Sequence, residues 1–140
     1  NSKITDILEK NRCETEPVAH FIVFGIENCM FCKKNVSLLK NLFGSNCVSY
    51  CDLHLKECFV KYRSINEHIL NDEKGVPLTL GKYGNTFIII KGYVNIYDLE
   101  KIYTNINGKK REILIYRQGF VNTKNVVSEV LEKLFDDISS

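Results

Sequence analysis

A compact apolar run, His20-Phe21-Ile22-Val23-Phe24-Gly25-Ile26, is separated by Glu27-Asn28 alone from Cys29-Met30-Phe31-Cys32. A helical pattern begins at those cysteines. This order constrains the chain more than any other feature. The β-branched and aromatic run reads as one buried strand. In the next segment Val36, Leu38, Leu39 and Leu42 form an apolar face, and Lys33, Lys34 and Lys40 a polar one. Gly44 and Asn46 stop it. Cys29 therefore falls at a helix start, where backbone N–H groups have no intrahelical partner. A thiolate there accepts those hydrogen bonds and meets the positive end of the helix dipole, worth about 0.3–1 kcal/mol and up to ~2 in good geometry. The thiol is expected to ionise below its ordinary range, more so if Lys33 or Lys34 points back over the sulfur. Cys32, one turn on, is expected to be the more buried sulfur. The functional expectation is that Cys29 attacks a disulfide and Cys32 resolves the mixed disulfide.

Length and composition narrow the partners. At 140 residues and 44% hydrophobic, the chain is expected to form a single domain, 1–140. Folding at that size buries about two thirds of the surface. The 19 Lys and Arg against 17 Asp and Glu leave a net charge of +2, which gives no reason to expect a nucleic-acid partner. The longest apolar run, Phe87 to Ile90, is far too short for a membrane span, so no membrane partner is expected. The six cysteines, at 13, 29, 32, 47, 51 and 58, do not suggest a disulfide mini-scaffold in so hydrophobic a chain. They fit a reducing, cytoplasmic compartment better. The opening NSKITDILEK lacks the basic flank and apolar stretch of a secretory signal. Because the first residue is not Met, an organellar address stays open.

The rest of the chain alternates between the two periods. Residues 1–19 read as a short helical lead-in. Cys47 to Cys51 reads as a second strand, Leu55 to Leu70 as an amphipathic helix, and Asn71 to Gly75 as a turn. Val76 to Leu80 and Thr86 to Ile90 are two short strands with only Gly81 to Asn85 between them, an expected antiparallel hairpin. Asn95 caps a helix running to Tyr103. The order β-α-β-α-β-β-α predicts an α/β fold with a mixed four-stranded sheet flanked by helices. Beyond residue 105, a strand at Ile113 to Tyr116 and a helix at Asn125 to Ile138 predict a C-terminal βα extension packed on the 18–104 core.

Other residues carry competing readings. Cys47 and Cys51 follow Cys32 at a spacing close to that of a zinc ribbon, so the pair at 29 and 32 is also readable as half a zinc site, or through Cys29 as a ligand of a [2Fe–2S] cluster shared between two chains, in a non-enzymatic interaction module. Against this, a long helix starts at Cys29 where a ribbon has a tight turn, and no metal is assigned. Cys47 and Cys51, four apart in a strand pattern, are expected on one face. Cys58 reads as a buried small hydrophobe, Cys13 as an exposed loop thiol and His20 as structural. Val76-Pro77 is an unusual strand opening. A cis bond there would turn the Val76 backbone outward to pair with an extended substrate, and a trans edge proline is the plainer reading.

Taken together and in this order, the strand FIVFG, the Cys29-Met30-Phe31-Cys32 motif with its aromatic before the second cysteine, and Val76-Pro77 resemble the glutaredoxin branch of the thioredoxin superfamily. Gly81-Lys82-Tyr83-Gly84, Lys91-Gly92 and the helix start near Asn95 extend the resemblance over roughly 18–104. It implies a thioredoxin/glutaredoxin-like fold and a thiol–disulfide oxidoreductase with no bound cofactor. Cys29 and Cys32 would be catalytic, and Phe31, Val76, Pro77, Lys91, Gly92 and Asn95 would bind substrate. The implied partners are disulfide-containing proteins, with glutathione or a thioredoxin-reductase-like donor as reductant. Three positions depart from the family. Ile26, followed by Glu27, stands where a Lys pairs with the glutathione carboxylate. Lys91-Gly92 replaces Gly-Gly, with Lys91 able to restore a positive charge from the other side. Asn95 replaces an Asp. One lost charge-assisted contact costs about 1.5–3 kcal/mol, or ten- to a hundredfold in affinity.

Overall fold

A computed structural model describes residues 19–71, 74–106, 112–126 and 128–139. The helical lead-in expected over 1–19, whose last residue opens the first strand, and Cys13 lie outside the described residues. The elements run β1 (Ala19–Gly25), α1 (Met30–Phe43), a 3-10 turn (Ser45–Cys47), β2 (Val48–Asp52), α2 (Lys56–His68), β3 (Leu78–Tyr83), β4 (Thr86–Lys91), α3 (Ile96–Thr104), β5 (Glu112–Arg117), β6 (Phe120–Asn125) and α4 (Ser128–Ser139).

These strands form one six-stranded mixed sheet in the order β2-β1-β3-β4-β5-β6. The expected thioredoxin/glutaredoxin-like four-stranded sheet with a packed-on βα extension is therefore wrong. The extension supplies two strands, and they belong to the sheet. β5 pairs parallel with β4, Phe87 opposite Ile113 and Lys91 opposite Arg117. β6 pairs antiparallel with β5. The physical reason is that β4 would otherwise be an edge with apolar side chains on both faces, as its residues Ile88, Ile89 and Ile90 show. Sequence patterning missed β6 because only Phe120 and Val121 are apolar in it and its residues are mostly exposed. The signal was the turn. Gln118 and Gly119 both have positive φ, 48° and 86°, the requirement of a two-residue hairpin that matches strand twist. The last helix accordingly starts at Ser128, not Asn125. β3 starts at Leu78, two residues after the expected Val76, because Pro77 has no N–H for the ladder.

Strict alternation divides the core between the two faces of the sheet. Phe21 and Val23 of β1 point to one face and pack with Leu39 and Phe43 of α1 and Leu99 and Ile102 of α3. Ile22 and Phe24 point to the other and pack with Tyr62 and Ile65 of α2, Ile113 and Ile115 of β5, and Leu134 of α4. Helices thus cover both faces. β1, β2, β4 and β5 run parallel, with β3 and β6 opposed. The ends of β1 and β4 and the start of β3 therefore share one end of the sheet, where ligands of open α/β sheets sit.

If β5 is an interior strand, truncating it should weaken the whole fold. Ile113→Ala should cost about 2–5 kcal/mol in urea unfolding. Phe120→Ser, on a side chain 71% exposed, should stay within about 0.5 kcal/mol. Equal small effects would mean that the C-terminal strands are peripheral.

Candidate active site

Cys29 is the N-cap of α1, with extended backbone (φ −90°, ψ 104°), and its Sγ accepts a hydrogen bond from the Cys32 N–H at 3.1 Å. This is the helix-start geometry that favours a thiolate. The sulfurs of Cys29 and Cys32 are joined in a disulfide, with Cα atoms 5.2 Å apart. Cys29 is half-buried, and Cys32 is fully buried.

Gly25, at the end of β1, decides that burial. A Cβ added there would lie 2.8 Å from Cys32 Sγ and 2.9 Å from Cε1 of Tyr50. Only a residue without a side chain lets the first turn of α1 rest on the strand end. The Tyr50 hydroxyl donates to the Ile26 carbonyl at 3.1 Å, which holds the connecting loop. Tyr50 ionises above its ordinary value because of burial, helped by the negative charges of Asp52 and Glu27.

The other expected site residues gather along the same end of the sheet. Pro77 lies one residue beyond the Phe24–Leu78 pair, and the Val76–Pro77 bond is cis. The Pro77 carbonyl accepts from the Gly92 N–H at 2.9 Å. Lys91 closes β4, opposite Leu78. Phe31 is exposed and packs on Tyr93 with ring centres 5.3 Å apart. Lys34 Nζ lies over both rings, at 5.8 and 5.9 Å from their centres, so its charge is directed there. Lys33 lines an open groove of about 730 Å³ on the other side of Cys29, together with Ile26, Glu27, Lys40, Tyr50 and Asp52. Asn95 is committed to the fold. Its side chain accepts from the Asp98 N–H at 2.9 Å, and Asp98 returns a bond to the Asn95 N–H, closing a capping box on α3.

Sequence reasoning missed Gly25, Asn35, Tyr50 and Tyr93. Asn35 is fully buried on α1. Its Nδ2 donates to the Gly92 carbonyl at 3.0 Å and its Oδ1 accepts from the Val94 N–H at 3.1 Å. The peptide groups on either side of Tyr93 are thus fixed to the helix that carries the cysteines. A buried Asn on an otherwise apolar helix face was the available signal, since such a group must be paired.

The remaining cysteines differ from expectation. Cys51 of β2 is bridged to Cys58 of α2, so Cys58 is buried as half of a disulfide and not as a lone hydrophobe. Cys47, placed in the core beneath α1 and α3, is also disulfide-bonded. Cys51 packs toward the opposite face, among the residues under α2. Cys47 and Cys51 therefore do not share a face, because Cys47 belongs to the 3-10 turn and not to the strand. The four-cysteine arrangement suggested by spacing is not assembled, since the Cys51 sulfur is bonded elsewhere. No family model matches the chain, and no curated protein and no solved structure matches it.

Two outcomes test this geometry. Gly25→Ala should lower stability by about 1–3 kcal/mol through overpacking, and should raise the accessibility of Cys32 to an alkylating reagent after reduction. Unchanged labelling would mean that Gly25 does not seat Cys32. The second concerns Tyr116, buried on β5, whose hydroxyl donates to Asp98 Oδ1. Burial, that hydrogen bond and the Asp98 charge raise its pKa from 10.0 to about 12. The folded state holds the proton where the unfolded state releases it. The stability it contributes is full below pH 10 and is lost as pH rises through about 12. Tyr116→Phe should unfold more easily near neutral pH and lose less stability across that window than the unsubstituted protein.

Proposed function

We propose that this chain is a thiol–disulfide oxidoreductase acting through Cys29 and Cys32. The observation that carries the reading is the division of the pair: one half-exposed sulfur at a helix N-cap, one fully buried sulfur bonded to it. In the reduced form the Cys29 thiolate attacks a substrate disulfide. The Cys29–substrate bond forms, the substrate S–S bond breaks, and the released thiolate takes a proton. Cys32 then gives up its proton and attacks the Cys29 sulfur, restoring the intramolecular disulfide and freeing the second substrate thiol. Two electrons pass to the substrate, and two thiols of a donor, glutathione or a reductase dithiol, restore the reduced form. Exchange runs in either direction according to the surroundings.

The substrates are protein disulfides or glutathione mixed disulfides, as in the glutaredoxin-like reading of the sequence. Backbone at Val76 and Pro77 and the Lys91–Gly92 segment lie at the same end of the sheet as the end of β1 and would meet them. No helix among the described residues is long and apolar enough to cross a membrane. The cysteine count of the sequence favours a reducing cytoplasm. The bridged Cys51 and Cys58 favour a compartment in which disulfides persist.

The deciding experiment is turnover of a small glutathione mixed disulfide coupled to glutathione reductase, beside reduction of a protein disulfide such as that of insulin. Cys29→Ser should bring both to background, while Cys32→Ser should keep the first attack and accumulate the mixed disulfide. Full activity in Cys29→Ser would remove Cys29 as nucleophile. Inactivity of the unsubstituted protein on both substrates would remove the oxidoreductase reading.

A further inference from the structure

Whatever exchanges with Cys29 must be seated on the surface around that sulfur, because a mixed disulfide holds the client sulfur at bonding distance. One flank of this surface is apolar and aromatic. Phe31 is 51% exposed and Tyr93 46%, with their rings in contact, and Met30, next to Cys29 in the chain, is 63% exposed. Large apolar side chains gathered at one exposed place mark a contact surface more often than a scatter of single residues does. This flank is also held in place. Phe31 and Tyr93 pack on each other under the Lys34 ammonium, and Asn35 fixes the peptide groups beside Tyr93. A surface fixed before binding loses little entropy when a client covers it. On the other flank, past the exposed Ile26, the groove offers charges of both signs, Glu27 and Asp52 against Lys33 and Lys40.

Resting on the oxidoreductase reading above, we propose that the client is an extended polypeptide with an aromatic or large aliphatic residue beside its reactive cysteine. That side chain packs on Phe31 and Tyr93, and the chain continues past Ile26 into the groove, whose mixed charges accept backbone groups and side chains of either sign. Glutathione fits this surface poorly. It brings two carboxylates and an ammonium but no large apolar side chain, so it leaves the aromatic flank uncovered.

The test uses Cys32→Ser, in which Cys29 has no intramolecular partner and the Cys51–Cys58 bridge remains. Three probes carry the same thionitrobenzoate leaving group on their cysteine: a short peptide with Phe beside that cysteine, the same peptide with Ser there, and glutathione. Attack forms the Cys29–probe disulfide and releases the coloured thiolate, so the bond chemistry is common and rate differences report seating. The Phe peptide should react at least ~10-fold faster than the other two, the scale of one well-packed aromatic contact. Adding Phe31→Ser and Tyr93→Ser should bring the three rates within about threefold, since a factor of three is roughly half of a tenfold difference in free energy. Equal rates for all three probes with the aromatic flank intact, a fastest reaction with glutathione, or a ratio unchanged by the two Ser substitutions would each overturn the client assignment. If no probe reacts faster with Cys32→Ser than with a variant lacking both cysteines, the oxidoreductase reading itself fails, and the client assignment with it.

Discussion

The first turn of α1 rests directly on the end of β1 because Gly25 has no side chain. The space a Cβ would take is filled by the Cys32 sulfur and the edge of the Tyr50 ring. From this contact the rest of the site follows. With the helix pressed down, Cys32 loses all access to solvent and Cys29 stays at the rim as the N-cap. A methyl group at residue 25 would lift the turn, and the two sulfurs would lose the difference in exposure that separates an attacking thiol from a resolving one.

Two side-chain bonds of Asn35 and one backbone bond carry this placement across the sheet. Asn35 ties α1 to Gly92 and Val94, and Gly92 in turn donates to Pro77, so three chain segments distant in sequence are held by three bonds. Each buried partner left unpaired would cost about 1–3 kcal/mol, which makes the network costly to loosen. The C-terminal strands join the same scaffold. Tyr116 of β5 bonds Asp98, and Asp98 closes the cap of α3 with Asn95 at the site's margin. The segment after residue 105 is thus structurally tied to the neighbourhood of the cysteines.

The two described sulfur bridges share one burial pattern, a half-buried sulfur bonded to a buried one, and differ in their backbone setting. Cys29–Cys32 closes across the first turn of α1, while Cys51–Cys58 joins β2 to α2 toward the opposite face, with Cys58 buried. Exchange needs a thiolate as well as access, so the helix N-cap position of Cys29, which Cys51 in its strand lacks, marks the pair proposed to exchange. The same end of the sheet carries exposed aromatic side chains on one side of Cys29 and a groove of mixed charge on the other, and this asymmetry gives the proposed polypeptide client a direction.

Much of the fold was legible because it is local. The β1 run, the helix after Cys29, the Thr86 strand and the Asn95 cap each declare themselves through period, β-branching or capping chemistry within a few residues, and they were placed to within one or two positions. Cys29 at a helix start was legible for the same reason. Strand β6 was not, because a polar edge strand has no periodicity and exists only by pairing with β5; without it, and without β5 in the ladder, the sequence pattern predicts four strands. The Cys51–Cys58 bridge was equally hidden, since a disulfide depends on the distance between a strand and a helix that spacing does not encode. The sequence by itself determined which residues could be strand, helix and nucleophile, because those preferences act over one or two turns of chain. Tertiary structure alone decided that Gly25 must stay bare, that Asn35 would find its partners 57 and 59 residues away, and that Phe31 would meet Tyr93, because each is a contact between segments brought together only by closing the sheet.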